Sequence, residues 1–336
     1  MTNTTEWITR SVSRLRSGAS STDKAPKASK PAADKPLADK QVADGAATKV
    51  PAPRSTHERL QATLRRGNES LSPRALRRLL ADLQDVVAPQ VSELEGGRRA
   101  QVVAGWYGQA EPEERRDMWL LLCEQFAPDA TRFQSARQRY EAAAGTADEG
   151  QAEISLRRAL VSPRTRLMQR FAVFPEGMRF LVDLRAELLP QLKSDKRLVA
   201  LDADLEHLFT TWFDVAFLEL RRLSWDSPAS LIEKLIKYEA VHDIRSWADL
   251  KNRLDSDRRC YGFFHPRLPN EPLIFVEVAL VDRISSSITP LLDEAAAPAD
   301  LKKATTAIFY SISNTQPGLR GVSFGDSLIK HVVETL

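Results

Sequence analysis

The chain has 336 residues, 43% hydrophobic and 28% charged, with two cysteines and a formal net charge of +3. That length accommodates two domains with sizeable cores, and the composition excludes collagen-like, mucin-like and disulfide-scaffold classes. No apolar run reaches the roughly eighteen residues of a membrane-spanning helix, and Cys123 and Cys260, far apart and outside any CxxC, form neither a thiolate metal site nor a disulfide framework and fit a reducing compartment.

Residues 1–56 carry ten Lys/Arg against five Asp/Glu, which leaves 38 against 40 for the rest. The basic excess belongs to the tail, so the body lacks the basic footprint of a nucleic-acid binder. The stretch APKASKPAADKPLADKQVADGAATKVPAP has almost no large apolar side chains. It cannot bury enough surface to offset its ordering entropy, and 1–56 is read as a disordered basic tail. Its first sixteen residues could form one short amphipathic turn and partly match a transit peptide. Asp23, Asp34, Asp39 and Asp44 argue against extending that reading. No secretory hydrophobic region occurs, and the expected location is cytoplasmic.

From His57 to Ile244 the pattern is helical. Ser72-Pro73 reads as an N-cap with proline at the first helical position. Leu76, Leu79, Leu80, Leu83 and Val86 follow at three- and four-residue steps. Pro112-Glu113-Glu114 opens a second helix with a stripe of Met118, Leu121, Leu122 and Phe126, and Thr131 to Ala144 gives a third, stopped at Gly145. Further helices are expected at 151–160, 163–173, 176–194, 202–222 and 228–240. Residues 57–244 are therefore taken as an all-α bundle. His207 reads as a packed helix residue and His242 as a helix-end residue.

After Trp247 the period changes. RCYGFFH (259–265) and LIFVEVALV (273–281), separated by the turn PRLPNEP, read as a β-hairpin. TTAIFYSIS (305–313) reads as a third strand, NTQPGLRGVSFG as a glycine-rich loop, and DSLIKHVVETL as a closing helix. The fold class is α+β: a helical bundle followed by an incomplete α/β segment over 245–336.

The loop carries the sharpest chemical signal. Gly318, Gly321 and Gly325 lie between a strand and a helix, where backbone N–H groups and a helix N-terminus can cradle a diphosphate. Arg320 adds a possible charge-assisted contact, and Asp326 reads as a cap. The pattern is neither Walker A nor GxGxxG. On glycine content alone, a plain structural turn is the simpler reading.

The segments AIFYSISNTQPGLRGVSFGDSLIKHVVE, RRCYGFFHPRLPNEPLIFVEVALV, RLSWDSPASLIEKLIKYEAVHDIRSWADLKNRL and FPEGMRFLVDLRAELL resemble the malonyl-CoA decarboxylase family. The resemblance covers roughly residues 60–336. It implies a helical oligomerisation domain joined to a catalytic domain of the GCN5-type acetyltransferase fold. It also implies conversion of malonyl-CoA to acetyl-CoA and CO₂ without metal, biotin or other cofactor. The family's CoA-binding loop matches Leu319, Arg320, Gly321, Val322, Ser323, Phe324 and Gly325. Ser311, on the preceding strand, matches a serine that helps hold the thioester oxygen. Where some members carry an acid, this chain has Ser323.

The family's remaining serine and histidine, in SxSPIPGF-like and NPVxxFH-like segments, have no match in these 336 residues. His265, at the hairpin turn, and His331, in the last helix, do not match that motif and read as structural or solvated. The chain is accordingly expected to be the first two-thirds of such an enzyme, with an open sheet edge and little activity alone. The expected partners are malonyl-CoA and acetyl-CoA and further copies of the chain, as dimers or tetramers. No nucleic acid or membrane is expected. The alternatives are a CoA-binding module without catalysis and a helical oligomerisation module with a vestigial α/β segment.

Overall fold

The computed structural model describes residues 70–324 and 327–336. The basic tail, Gly325 and Asp326, all singled out from the sequence, lie outside the described residues.

The helices begin where side chains satisfy their first backbone amides. α1 (Pro73–Val86) starts with Ser72 Oγ accepting from Ala75 N–H, and buries Leu76, Leu79, Leu80, Leu83 and Val86. α2 (Glu93–Gln109) is capped by Ser92. In α3 (Pro112–Gln125) the Glu114 carboxylate reaches back to the Glu111 N–H at 3.0 Å. α4 (Ala130–Ala143) and α5 (Glu149–Leu160) form a helical hairpin in which Ala136 and Ala159 are the buried residues. α6 (Pro163–Phe171), α7 (Gly177–Leu188) and α8 (Val199–Trp212) complete the bundle and line its core with Leu167, Phe171, Leu181, Leu184, Leu205 and Phe209.

The sheet begins at β1 (Glu219–Leu223). Periodicity extends the helix through residue 222, but α8 stops at Trp212, a 3-10 turn follows at Val215–Phe217, and the chain is extended from Glu219. β1 contributes little apolar signal because it is an edge strand of five residues with Leu223 alone buried. Since it pairs with β2, the change of architecture falls well before the 244/245 boundary taken from the sequence. α9 (Ala229–Tyr238) and α10 (Trp247–Arg253) follow, then β2 (Arg258–His265), β3 (Leu268–Val281) and β4 (Thr306–Asn314). The strands are antiparallel in the order β1-β2-β3-β4. The hairpin turn is tighter than the Pro/Asn segment suggested, because β3 already begins at Leu268, with irregular register around Phe264.

Strand alternation divides the sheet into two faces. Tyr261, Phe263, Ile274, Val276 and Val278 join one core with helices α1 to α3 and α6 to α8, and Phe309 and Ile312 pack against it. On the other face Leu223, Cys260 and Phe275 pack with Ile232, Leu235 and Leu250 of α9 and α10. A register shift opposite Glu277 and Val278 re-aims β4 locally. α11 (Leu328–Thr335) buries Ile329 and Val332, the latter within the large core.

Candidate functional site

The loop following β4 is built from two consecutive turns. Pro317–Leu319 forms a 3-10 turn, with Leu319 N–H donating to Gln316 O at 3.0 Å and Arg320 N–H to Pro317 O at 3.2 Å. Residues 319–322 then form a type II β-turn. Arg320 has φ −58° and ψ 130°, Gly321 has φ +83°, and Val322 N–H donates to Leu319 O at 3.1 Å. Only glycine accepts that positive φ without strain. Phe324 O receives Val215 N–H at 3.1 Å, which ties the loop to the segment after α8.

The side chains alternate along the loop. Leu319, Val322 and Phe324 are buried in the large core, whereas Arg320, Gly321 and Ser323 are exposed. The three apolar members of the expected binding set therefore anchor the loop, and Arg320, Gly321 and Ser323 are its described members left on the surface. The expected row of free amides is also shorter than the glycine pattern implied, because the amides of Leu319, Arg320 and Val322 close the turns. Gly321 N–H has no partner among the described residues. α11 starts a few residues later, and Ser327 at its start makes no side-chain cap bond. An unpartnered amide on an exposed turn, next in sequence to an exposed arginine, is an arrangement suited to an anion.

The loop rests on α7. A Cβ on Gly318 would lie 1.9 Å from Val182 O, so the close approach requires glycine. Beneath the turn, Arg185 of α7 is 1% exposed. Its Nη1 donates to Gly318 O at 2.8 Å and Arg320 O at 2.9 Å, while Nε donates to Asp202 at 2.8 Å. Sequence reasoning treated Arg185 as part of a bundle helix. An arginine placed among Leu181, Leu184 and Leu188 was the available signal that it meets a buried partner.

Ser311 lies on the face opposite the loop's buried side chains. Its hydroxyl donates to Glu239 Oε1 at 2.7 Å, and Ser313 donates to Glu239 Oε2 at 3.0 Å. Glu239 Oε1 also accepts from Val241 and His242 N–H, each at 2.9 Å. In this arrangement the single hydroxyl proton of Ser311 is committed to Glu239. Holding a thioester oxygen would require it to turn away.

Beside this pair sits a second charged cluster. Glu277 is fully buried opposite Ser311 and receives Arg253 Nη1 at 2.9 Å. Burial pushes its carboxyl up to about 7, with Arg253 opposing and Glu239 reinforcing the shift. Arg253 also donates to Asp249 at 2.8 Å. Burial disfavours its charge, but the two carboxylates hold it above the usual guanidinium range.

The described histidines are packed or peripheral, and His207, expected to be packed, is exposed on α8. His265 Nδ1 accepts from Arg267 N–H at 3.1 Å, and the ring meets Phe213 edge-on. Burial lowers its pKa. His331 packs edge-on against Phe263. Burial raises the Cys123 thiol to about 11 and the Cys260 thiol well above its ordinary value, so neither is a ready nucleophile.

A family model described as the malonyl-CoA decarboxylase N-terminal domain matches residues 126–213, and one described as the malonyl-CoA decarboxylase C-terminal domain matches residues 216–336. The chain belongs to the malonyl-CoA decarboxylase family. The two matches run in order and meet just ahead of β1, where the sheet begins. The chain is 42% identical over 186 residues to the mitochondrial malonyl-CoA decarboxylase of Anser anser anser, an overlap of 53% of this chain and 37% of that one. It is 36% identical over 250 residues to the Mus musculus mitochondrial protein, covering 71% and 51%. Among solved structures, malonyl-CoA decarboxylase from Rhodopseudomonas palustris shows 42% identity and a TM-score of 0.68 over 77% of this chain and 62% of that one. The protein from Agrobacterium vitis shows 39% identity and a TM-score of 0.70 with the same coverage. The chain thus spans between 37% and 51% of the length of these curated relatives. No described helix is long and apolar enough to cross a membrane.

Proposed function

We propose that this chain binds malonyl-CoA through the loop after β4 and serves its decarboxylation to acetyl-CoA and CO₂. The observation that carries this reading is the Gly321 amide, which has no partner among the described residues and sits at the positive-φ position of an exposed type II turn. The diphosphate of CoA is the anion this arrangement fits, with Arg320 and Ser323 both exposed on the loop.

The chemistry sets what else is needed. Breaking the bond to CO₂ leaves its electron pair on the thioester as an enolate. A hydrogen-bond donor must meet that oxygen, and a proton must return to the carbon. Ser311 serves as the oxygen's support only if its proton leaves Glu239. The packed His265 and His331 are poorly placed as proton donors. The segments that supply a serine and a histidine in the family have no counterpart in these 336 residues. We therefore assign CoA recognition to this chain and expect it to turn over little by itself. Self-association through the helical part completes the reading, and the α4–α5 hairpin leaves Ile154, Leu160 and Val161 exposed.

A second reading, CoA binding without decarboxylation, draws support from the commitment of Ser311 to Glu239. A coupled assay for acetyl-CoA, run beside a binding titration, separates the two. Binding with residual turnover fits the first reading, and binding without any turnover fits the second. Turnover at the level of a longer family member would contradict the expectation of low activity.

A further inference from the structure

We infer that Arg185 is a positioning residue that sets the orientation of the Arg320–Gly321 peptide, and so the ability of this loop to take a diphosphate. The inference rests on the CoA reading and goes beyond it, because it assigns part of the binding machinery to the helical bundle.

A type II turn differs from a type I turn chiefly by a flip of its central peptide. Here that peptide joins Arg320 to Gly321. A trans peptide is planar, with its C=O and N–H pointing in opposite directions. Arg185 Nη1 binds Arg320 O from beneath, at 2.9 Å, so the Gly321 N–H of the same plane faces away from the core. The same nitrogen binds Gly318 O at 2.8 Å, fixing the turn at two points. Flipping the peptide would leave the buried guanidinium one acceptor short and turn the amide inward. Both changes are costly in a site this dry.

The guanidinium is itself held rigidly. Asp202 accepts from Nε at 2.8 Å, and Glu206 lies 3.6 Å from Nη2. Glu206 Oε1 also lies 3.8 Å from the position a Cβ on Gly321 would take. A carboxylate so near the turn opposes a bound anion. Arg185 offsets that charge as well as holding the carbonyls, so one buried side chain contributes both geometry and local potential. Lysine cannot reproduce this, because it lacks the planar fork that spans two carbonyls and a carboxylate.

The test is calorimetric titration of the full chain, the Arg185→Lys variant and the Arg185→Met variant with CoA and with pantetheine, which lacks the diphosphate. Helical content and unfolding midpoint are measured alongside. The expected result is that folded Arg185→Lys loses tenfold or more in CoA affinity with its pantetheine affinity unchanged, so the ratio between the two ligands collapses. A merely structural role would weaken both ligands together. Unchanged CoA affinity in a folded variant overturns the inference while leaving the CoA reading standing. If the unaltered chain binds no CoA, that reading fails and this inference fails with it. Should Arg185→Met not fold, Arg185→Lys decides, supported by the ¹⁵N-glycine amide of Gly321. Its resonance is expected to shift with CoA in the unaltered chain and to stay fixed in the variant; a shift in both proteins contradicts the inference.

Discussion

Ser311 and Glu277 face each other across β3 and β4, yet they do different work. Ser311 closes a buried hydrogen bond to a carboxylate, a contact typically worth about 1.5–3 kcal/mol. Ser311→Ala is expected to lower the unfolding free energy by roughly that amount, with CoA affinity retained, as measured by urea unfolding and titration. Unchanged stability together with a selective loss of malonyl-CoA affinity would instead mark the serine as a thioester contact. For Glu277 the sign follows from burial. Its carboxyl is raised from 4.5 to about 7, so over that window the folded chain binds more protons than the unfolded one. The unfolding free energy contributed by this group therefore falls as pH rises through the window, and levels off above it. Glu277→Gln is expected to flatten that part of the slope in urea unfolding series. An identical slope in both proteins would contradict the assignment. The glycines of the loop were legible in the sequence because a positive φ and a close backbone approach both demand them. The turn bonds that occupy the amides of Leu319, Arg320 and Val322 were not, since spacing alone does not say which amides a turn consumes. Arg185 was hidden for a related reason: its partners are backbone carbonyls more than a hundred residues away in sequence.

Elements with strong periodicity were readable, and those held by tertiary contacts were not. α1 buries the five positions its spacing marked, and α4 runs from Ala130 to Ala143, close to the expected 131–144. α2 escaped because its apolar face is interrupted by Gly96 and Gly97. The Ser92-x-x-Glu95 spacing was the signal that announced it. β1 escaped because its sequence, Glu-Leu-Arg-Arg-Leu, carries no alternation and gains its strand conformation from pairing with β2. Function is arranged at this scale too. α7 supplies the floor of the loop with Val182 and Arg185, and β4 and α11 supply its two ends. The sequence division into a helical module and a separate catalytic segment therefore understates how closely the two depend on each other.

The large core makes that dependence a property of the whole molecule. It runs without a break from Leu71 on the bundle side through Phe263 and Val276 of the sheet to Val332 of α11. A shared core unfolds as one unit. Helical circular dichroism and tryptophan fluorescence are expected to report a single coincident thermal transition, and two separated transitions would show that bundle and sheet fold independently. The central claim, that the loop from Leu319 to Phe324 recognises CoA by its diphosphate, meets its most direct test in isothermal titration of the chain with CoA, malonyl-CoA and pantetheine. Recognition through the diphosphate requires saturable one-to-one binding of both CoA and malonyl-CoA, which share that group, with pantetheine far weaker. Equal binding of all three, or no heat from any of them, would contradict it.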